Sequence, residues 1–272
     1  MTFRAGVQSA AFLFSLLLFA APSLCAAGLL EPRALQCEYA IDPMGVDASA
    51  PRLFWQVAGD GRGQKQTAYQ IVVASTPDAA RAGTGDLWDS GKVASSETIQ
   101  IPYAGRPLAS ARRVYWSVRV WDNDGAASAW SPPATWTMGL LSEKDWTAHW
   151  IAAAAPSPSL LLRREFDVKP KLVRAVAFVC GLGQDELTIN GVKAGDDLLS
   201  PGWSKYDKTC LYETRDLTPL LKAGRNAVGI ELGNGMYNVA GGRYTKFKGT
   251  FGPLKAIAQI LLEYADGTSE TI

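Results

Sequence analysis

Six side chains in the second half of the chain have the chemistry to hold a hydroxyl-rich ligand: Asn190, Asp196, Asp197, Trp203, Tyr206 and Asn234. Three of them fall in or beside "LTINGVKAGDD", Leu187 to Asp197. Trp203 and Tyr206 lie in "PGWSKYD", where both offer flat apolar faces and Asp207 offers hydroxyl acceptors. Asn190, Asp196, Asp197 and Asn234 supply hard oxygen atoms. Each also has a plainer reading. Asn190-Gly191 between two alternating runs predicts a type I′ hairpin turn, which needs positive φ at both positions. Adjacent residues of a strand point to opposite sides, so Asp196 and Asp197 suit the orientation of a ligand better than an acid/base pair. Trp203 can anchor its own loop against a sheet. Asn234 stands between two glycines, where it can present an amide or cap a turn. Gly241, Gly242 and Arg243 then predict a mobile loop, with Arg243 able to bind hydroxyls or a carboxylate. "DNDG", Asp122 to Gly125, reads as a tight turn.

Other chemistries are poorly supplied. His149 is the single histidine and no CxxC occurs, which argues against zinc. The net charge is +1 with Lys and Arg scattered, so nucleic acid has no basic footprint to bind. The N-terminus carries Arg4, an apolar run from Ala10 to Ala21 and small residues at Cys25, Ala26 and Ala27. That is the pattern of a secretory signal peptide, residues 1–27, cut after Ala26 or Ala27; the run is too short to span a bilayer, and no later run is long enough. Cys25 as a lipoprotein cysteine would have Leu24 where a small residue is usual. The expected location is therefore secreted or periplasmic. Cleavage leaves Cys37, Cys180 and Cys210, an odd count that is no disulfide framework. Cys180 and Cys210 either pair in an oxidising compartment or stay free, buried thiols.

The elements that position these residues are strands. "LFWQV", "YQIVVAS", "VYWSVRVW", "AVAFVCG", "ELTIN", "NAVGIEL" and "AIAQILLEY" are short runs punctuated by turn residues, as in an all-β chain of two consecutive sandwiches. In "VYWSVRVW" the alternation sends Val114, Trp116, Val118 and Val120 to one face and Tyr115, Ser117 and Arg119 to the other. Only Ser75 to Ala82 predicts a helical turn, started by Thr76 and Pro77. A first unit over 29–140 has the size of a fibronectin type III or immunoglobulin-like sandwich; Pro132-Pro133 marks an edge near its end. A second unit, jelly-roll-like and of the carbohydrate-binding type, spans 146–272. It closes on "EYADGTSETI", where Asp266-Gly267 turns and the return strand has only begun, so a truncated sheet with an unpaired edge is expected there.

The second unit resembles the N-terminal β-sandwich domain of bacterial α-L-rhamnosidases, family 78 glycoside hydrolases. The resemblance rests on "GLGQDELTING" (181–191), "PGWSKYD" (201–207), "YETRDLT" (212–218), "LKAGRN" (221–226) and "LGNGMY" (232–237), with Met236 where an aromatic is usual. "CEYAIDPMGVDASAPRLFWQV", "QTAYQIVVAS", "LWDSGKV" and "VYWSVRVWDNDGAASAWS" resemble the fibronectin type III-like domain that opens such enzymes. The resemblance implies hydrolysis of terminal α-L-rhamnosides with inversion, by carboxylates on a C-terminal (α/α)₆ barrel. No such barrel is present, so no catalytic residue carries over and the chain alone is expected to be inactive. Rhamnose-containing glycans or glycosides and the missing barrel are its expected partners. Similar modules sometimes hold calcium at a rhamnose site, and Asn190, Asp196, Asp197 and Asn234 are ligands of that type; no other cofactor is expected. A stand-alone carbohydrate-binding or structural sandwich protein is the alternative.

Overall fold

The computed structural model describes residues 30–239 and 249–272. The signal-peptide residues and the Gly241–Arg243 loop lie outside the described residues.

The first sandwich contains β1 (Glu31–Cys37), β2 (Met44–Val46), β3 (Arg52–Ala58), β4 (Ala68–Ala74), the short helix α1 (Pro77–Arg81), β5 (Trp88–Asp89), β6 (Ile101–Pro102), β7 (Arg113–Trp121) and β8 (Ala134–Met138). Three strands, β1-β3-β6, face five, β2-β8-β7-β4-β5. Alternation along β7 is as the sequence predicts: Val114, Trp116, Val118 and Val120 enter the core. Helix α1 is the expected turn, with the Thr76 hydroxyl accepting from the Ala79 amide. The "DNDG" turn is local too, since Asp122 Oδ1 accepts from the amides of Asp124 and Ala126.

The second sandwich contains β9 (Ile151–Ala152), β10 (Ser159–Val168), β11 (Leu172–Leu182), β12 (Gln184–Ile189), β13 (Val192–Lys193), β14 (Glu213–Asp216), β15 (Gly224–Gly233), β16 (Asn238–Val239), β17 (Gly249–Thr250), β18 (Lys255–Tyr264) and β19 (Ser269–Thr271). One sheet has the order β10-β15-β12-β13; the other has β14-β11-β18-β19, with β9 also on β18. The short return strand β19 pairs on one side and ends the sheet order. β19 pairs with β18 from Leu261↔Thr271 to Glu263↔Ser269, and Ile260 and Ile272 exchange both backbone hydrogen bonds. The turn is tight enough for this because Gly267 takes φ +82° and Asp266 Oδ1 accepts from the Thr268 amide.

"RAVAFVC" is apolar without alternation because β11 is covered on both faces. Ala175, Ala177 and Val179 face the sandwich interior. Val176 and Phe178 face outward and join Ala111 and Leu140 of the first sandwich, with Trp146 and Tyr212 alongside. Arg174, only 5% exposed, reaches across to the Ala111 carbonyl at 2.8 Å and also pairs with Glu263 at 3.0 Å. Tyr212 Oη accepts from the Leu140 amide at 2.7 Å. A Cβ at Gly139 would lie 2.2 Å from that oxygen, so glycine there permits the approach of the two sandwiches. The link between them is a packed interface rather than a loose tether.

Candidate functional site

The loop end of the second sandwich collects most of the sequence-predicted residues. β12 pairs with β15 from Gln184↔Gly233 to Ile189↔Val228, so the start of β12 and the end of β15 meet there. Asn234 follows β15 at that end. The 195–203 loop crosses the same end: the Asp185 amide donates to the Ser200 carbonyl at 2.6 Å, and Gln184 Nε2 to the Leu199 carbonyl at 3.3 Å. Gly183 has φ +134°, and a Cβ there would stand 1.9 Å from the Gly233 carbonyl, so these two turns close only around glycine.

Asn190 is not part of this group. It sits at the far end of the β12–β15 ladder, roughly 20 Å away at about 3.4 Å per residue. The φ values of Asn190 (+54°) and Gly191 (+82°) show the predicted primed turn. Its amide nitrogen donates to Asn226 Oδ1 and the Leu220 carbonyl, and its Oδ1 accepts from the Ala227 amide. The side chain is spent on fixing the hairpin against β15.

The other five share the loop end but differ in role. Asp197 pairs with Arg215, which also holds Glu213. Asp196 is exposed. Trp203 is 64% exposed. Tyr206 packs edge-on against Tyr237 at 5.2 Å and Phe251 at 5.3 Å, while Pro201 is buried nearby in sequence. The positive φ belongs to Gly235, not Asn234; Asn234 Oδ1 accepts from Asn238 Nδ2 at 3.0 Å and so braces the next turn. Leu198 and Leu199, in the same loop, are 81% and 75% exposed.

A residue passed over in the sequence lies beneath. Asp185 shares the core-facing parity of Leu187 and Ile189, and a carboxylate on that face was the signal. Its Oδ2 accepts from the Gly181 amide at 2.8 Å. Burial, reinforced by Glu213, pushes its pKa up to about 6. A raised carboxylate beside a second acid has the form of an acid/base pair. The space between them decides against it. The cavity bounded by Asp185, Glu213 and Arg215 is about 10 Å³, no more than a water needs and far below a sugar ring. A hydroxyl-rich ligand would have to sit on the exposed loop face above.

Among the described residues the cysteines are free: Cys37 and Cys180 are buried and Cys210 is exposed. Burial pushes both buried thiols up to about 12, so neither is a nucleophile near neutral pH. Among the described residues no cluster of three or more His, Cys, Asp or Glu side chains is placed to hold a metal. Among them, too, no helix is long and apolar enough to cross a membrane.

Comparison with known proteins covers both sandwiches. Residues 32–142 match the family described as Rha78A-like, N-terminal immunoglobulin domain. Residues 170–272 match the family described as Alpha-L-rhamnosidase N-terminal domain. A relative named alpha-L-rhamnosidase from Formosa agariphila is 33% identical over 260 residues, covering 84% of this chain and 27% of the relative. The solved structure of an alpha-L-rhamnosidase from "Dictyoglumus thermophilum" superposes with a TM-score of 0.83 at 34% identity, over 90% of this chain and 29% of that one. A Streptomyces avermitilis alpha-L-rhamnosidase, solved in complex with L-rhamnose, shares the fold with a TM-score of 0.79 at 24% identity, over 89% of this chain and 40% of that one. The chain thus spans little more than a quarter of the length of the curated relatives it matches.

Proposed function

This chain belongs to the N-terminal domain families of the α-L-rhamnosidases, and from that premise we propose that it serves as the non-catalytic forepart of a secreted or periplasmic α-L-rhamnosidase. The observation that carries the reading is the pair of family matches in their order along one chain, locked into one another by the Phe178, Tyr212 and Arg174 interface. In this role the two sandwiches support, and help to feed, a catalytic barrel that hydrolyses terminal α-L-rhamnosides. Rhamnose-containing glycosides are the proposed ligands, held at the loop end. Trp203 gives the apolar face, and Asp196, Asp197 and Asn234 give acceptors for hydroxyls or a calcium ion. Tyr206 acts there by holding the loop on Tyr237 and Phe251.

The chain itself is expected to show no turnover of an aryl α-L-rhamnoside above a buffer blank. Activity that disappears on mutating one of its carboxylates would overturn that. Calorimetric titration with L-rhamnose, with and without calcium, tests the loop site. Binding at millimolar sugar that is lost in Trp203→Ala and weakened in Asp197→Ala is the expected result. Absence of binding under both conditions, or equal binding by the variants, would leave the loops as scaffolding.

A further inference from the structure

One arginine of the second sandwich serves more carboxylates than its charge can balance. Glu213 and Arg215 stand opposite Val179 and Ala177 of β11 and so face the sandwich interior. Arg215 Nη2 donates to Glu213, and Nη1 donates to Asp197 of the 195–203 loop. Asp185 enters from β12, and all four side chains line one enclosed space of about 10 Å³. Three ionised carboxylates around one guanidinium would leave two negative charges unbalanced, with room for no more than a water to screen them. Lys193 and Glu186 also line the space, but they pair with each other at 2.7 Å. Cys180 on β11 is a neutral thiol, and β15 sets Leu232 opposite Asp185.

The three acids differ in what they can turn to. The Asp197 side chain is 47% exposed and can exchange Arg215 for water. Asp185 is half-buried, and its Oδ2 accepts from the Gly181 amide. While Asp185 is protonated, Arg215 serves Glu213 and Asp197. Once Asp185 ionises, it has the stronger claim on the guanidinium, because it has less water to turn to. The loop is placed to respond. Gly195, at φ +112°, passes over the guanidinium, where a Cβ would stand 2.7 Å from Arg215 Nη1. The next ties along the loop come at Leu199 and Ser200, held by Gln184 and the Asp185 amide.

We propose that Asp185 is a proton-operated latch on the 195–203 loop: protonated, it leaves Arg215 to hold Asp197; ionised, it draws Arg215 away and loosens the loop. The proton passes to solvent, and no other reactant is needed. Burial and Glu213 push Asp185 up to about 6, so the latch closes below that pH and opens above it. The inference does not rest on sugar binding at this end of the sandwich.

A nitroxide at position 198 reads the loop directly. Leu198 is 81% exposed, so a label there does not disturb the core. Leu198→Cys in a chain carrying Cys25→Ser and Cys210→Ser is labelled at one place, because Cys37 and Cys180 are buried. With a chelator present, electron paramagnetic resonance should show the mobile component rising severalfold between pH 5 and pH 7.5, with its midpoint at about 6. Asp185→Asn should keep the label held at both pH values, and Asp197→Ala should keep it mobile at both. Glu213→Gln removes a charge that raises Asp185, so it should move the step to lower pH; it decides the matter if Asp185→Asn does not fold. A line shape that ignores pH would overturn the proposal. So would a step that survives Asp185→Asn, a step that Glu213→Gln leaves in place, or a loop still held at pH 5 in Asp197→Ala.

Discussion

The two sandwiches solve the same packing problem with different materials. The first is closed by large aromatic groups. Trp116 and Trp136 are fully buried, and Trp88, Tyr103 and Trp136 form an edge-to-face chain with ring centres 5.5 and 5.8 Å apart. Trp55 donates its buried indole N–H to Gln66 Oε1 at 2.9 Å. The core of the second sandwich is mainly aliphatic, with Leu187, Ile189, Leu232 and Leu262 inside beside the small Ala175, Ala177 and Ala256, and it has no buried tryptophan among the described residues. Its centre is a cleft and one end holds the half-buried Asp185. A closed core is self-sufficient. An open one depends on covers, and the first sandwich is one of these, lying over Val176 and Phe178.

The sharpest way to break this contrast is Phe178→Ala. Truncating a fully buried Phe costs about 3–5 kcal/mol, from lost burial and the cavity left behind. Phe178 lies in the second sandwich but its ring contacts the first, so the loss should uncouple the two. Calorimetry should show the second sandwich melting separately and earlier, and limited proteolysis should cut 146–272 before 29–140. A single transition lowered as a whole would mean that the second sandwich does not depend on this cover.

A smaller effect comes from Asp185. Its folded pKa of about 6 stands above the ordinary carboxylate value, so the folded state holds the proton more tightly. The stability it contributes is greatest below pH 4, falls as pH rises through 6, and is flat above. Asp185→Asn keeps an oxygen for the Gly181 amide and removes the buried charge. The variant should gain about 1–2 kcal/mol at pH 8 relative to its difference at pH 4. Urea denaturation at the two pH values measures this. An unchanged difference would mean that Asp185 is ionised without cost, with Arg215 compensating it.

How far the sequence revealed this contrast depends on the range of the interaction. Strand periods, the Thr76 cap and the Asn190-Gly191 turn are local, and all were legible. The doubly apolar run of β11 showed burial but not what covers its outer face. Asp197 met Arg215 through a pairing of loop and strand 18 residues apart in sequence, which no local pattern encodes. The grouping of Asn190 with Asn234 failed because a turn signal places a residue at a strand end without saying which end. Tyr206 packs on Tyr237 and Phe251, more than 30 residues away, which no local pattern in "PGWSKYD" encodes.

The smallest effects separate scaffold from surface within the second sandwich. Asn190→Ala removes three hydrogen bonds and places a Cβ residue without a local acceptor at φ +54°. Each bond contributes about 0.5–1.5 kcal/mol, but the exposed partners regain water, so a net loss of about 1–2 kcal/mol is expected. Sugar affinity, if the loop end binds, should not change, because roughly 20 Å of ladder lies between. Trp203→Ala should do the opposite. Its ring is 64% exposed, so stability should move by no more than about 0.5 kcal/mol. Any rhamnose binding should vanish with it. Measuring urea midpoints and sugar titrations on both variants sets these side by side. If Trp203→Ala destabilises as much as Asn190→Ala and leaves binding intact, the exposed tryptophan is a structural brace and the division drawn between the two ends of β12 is wrong.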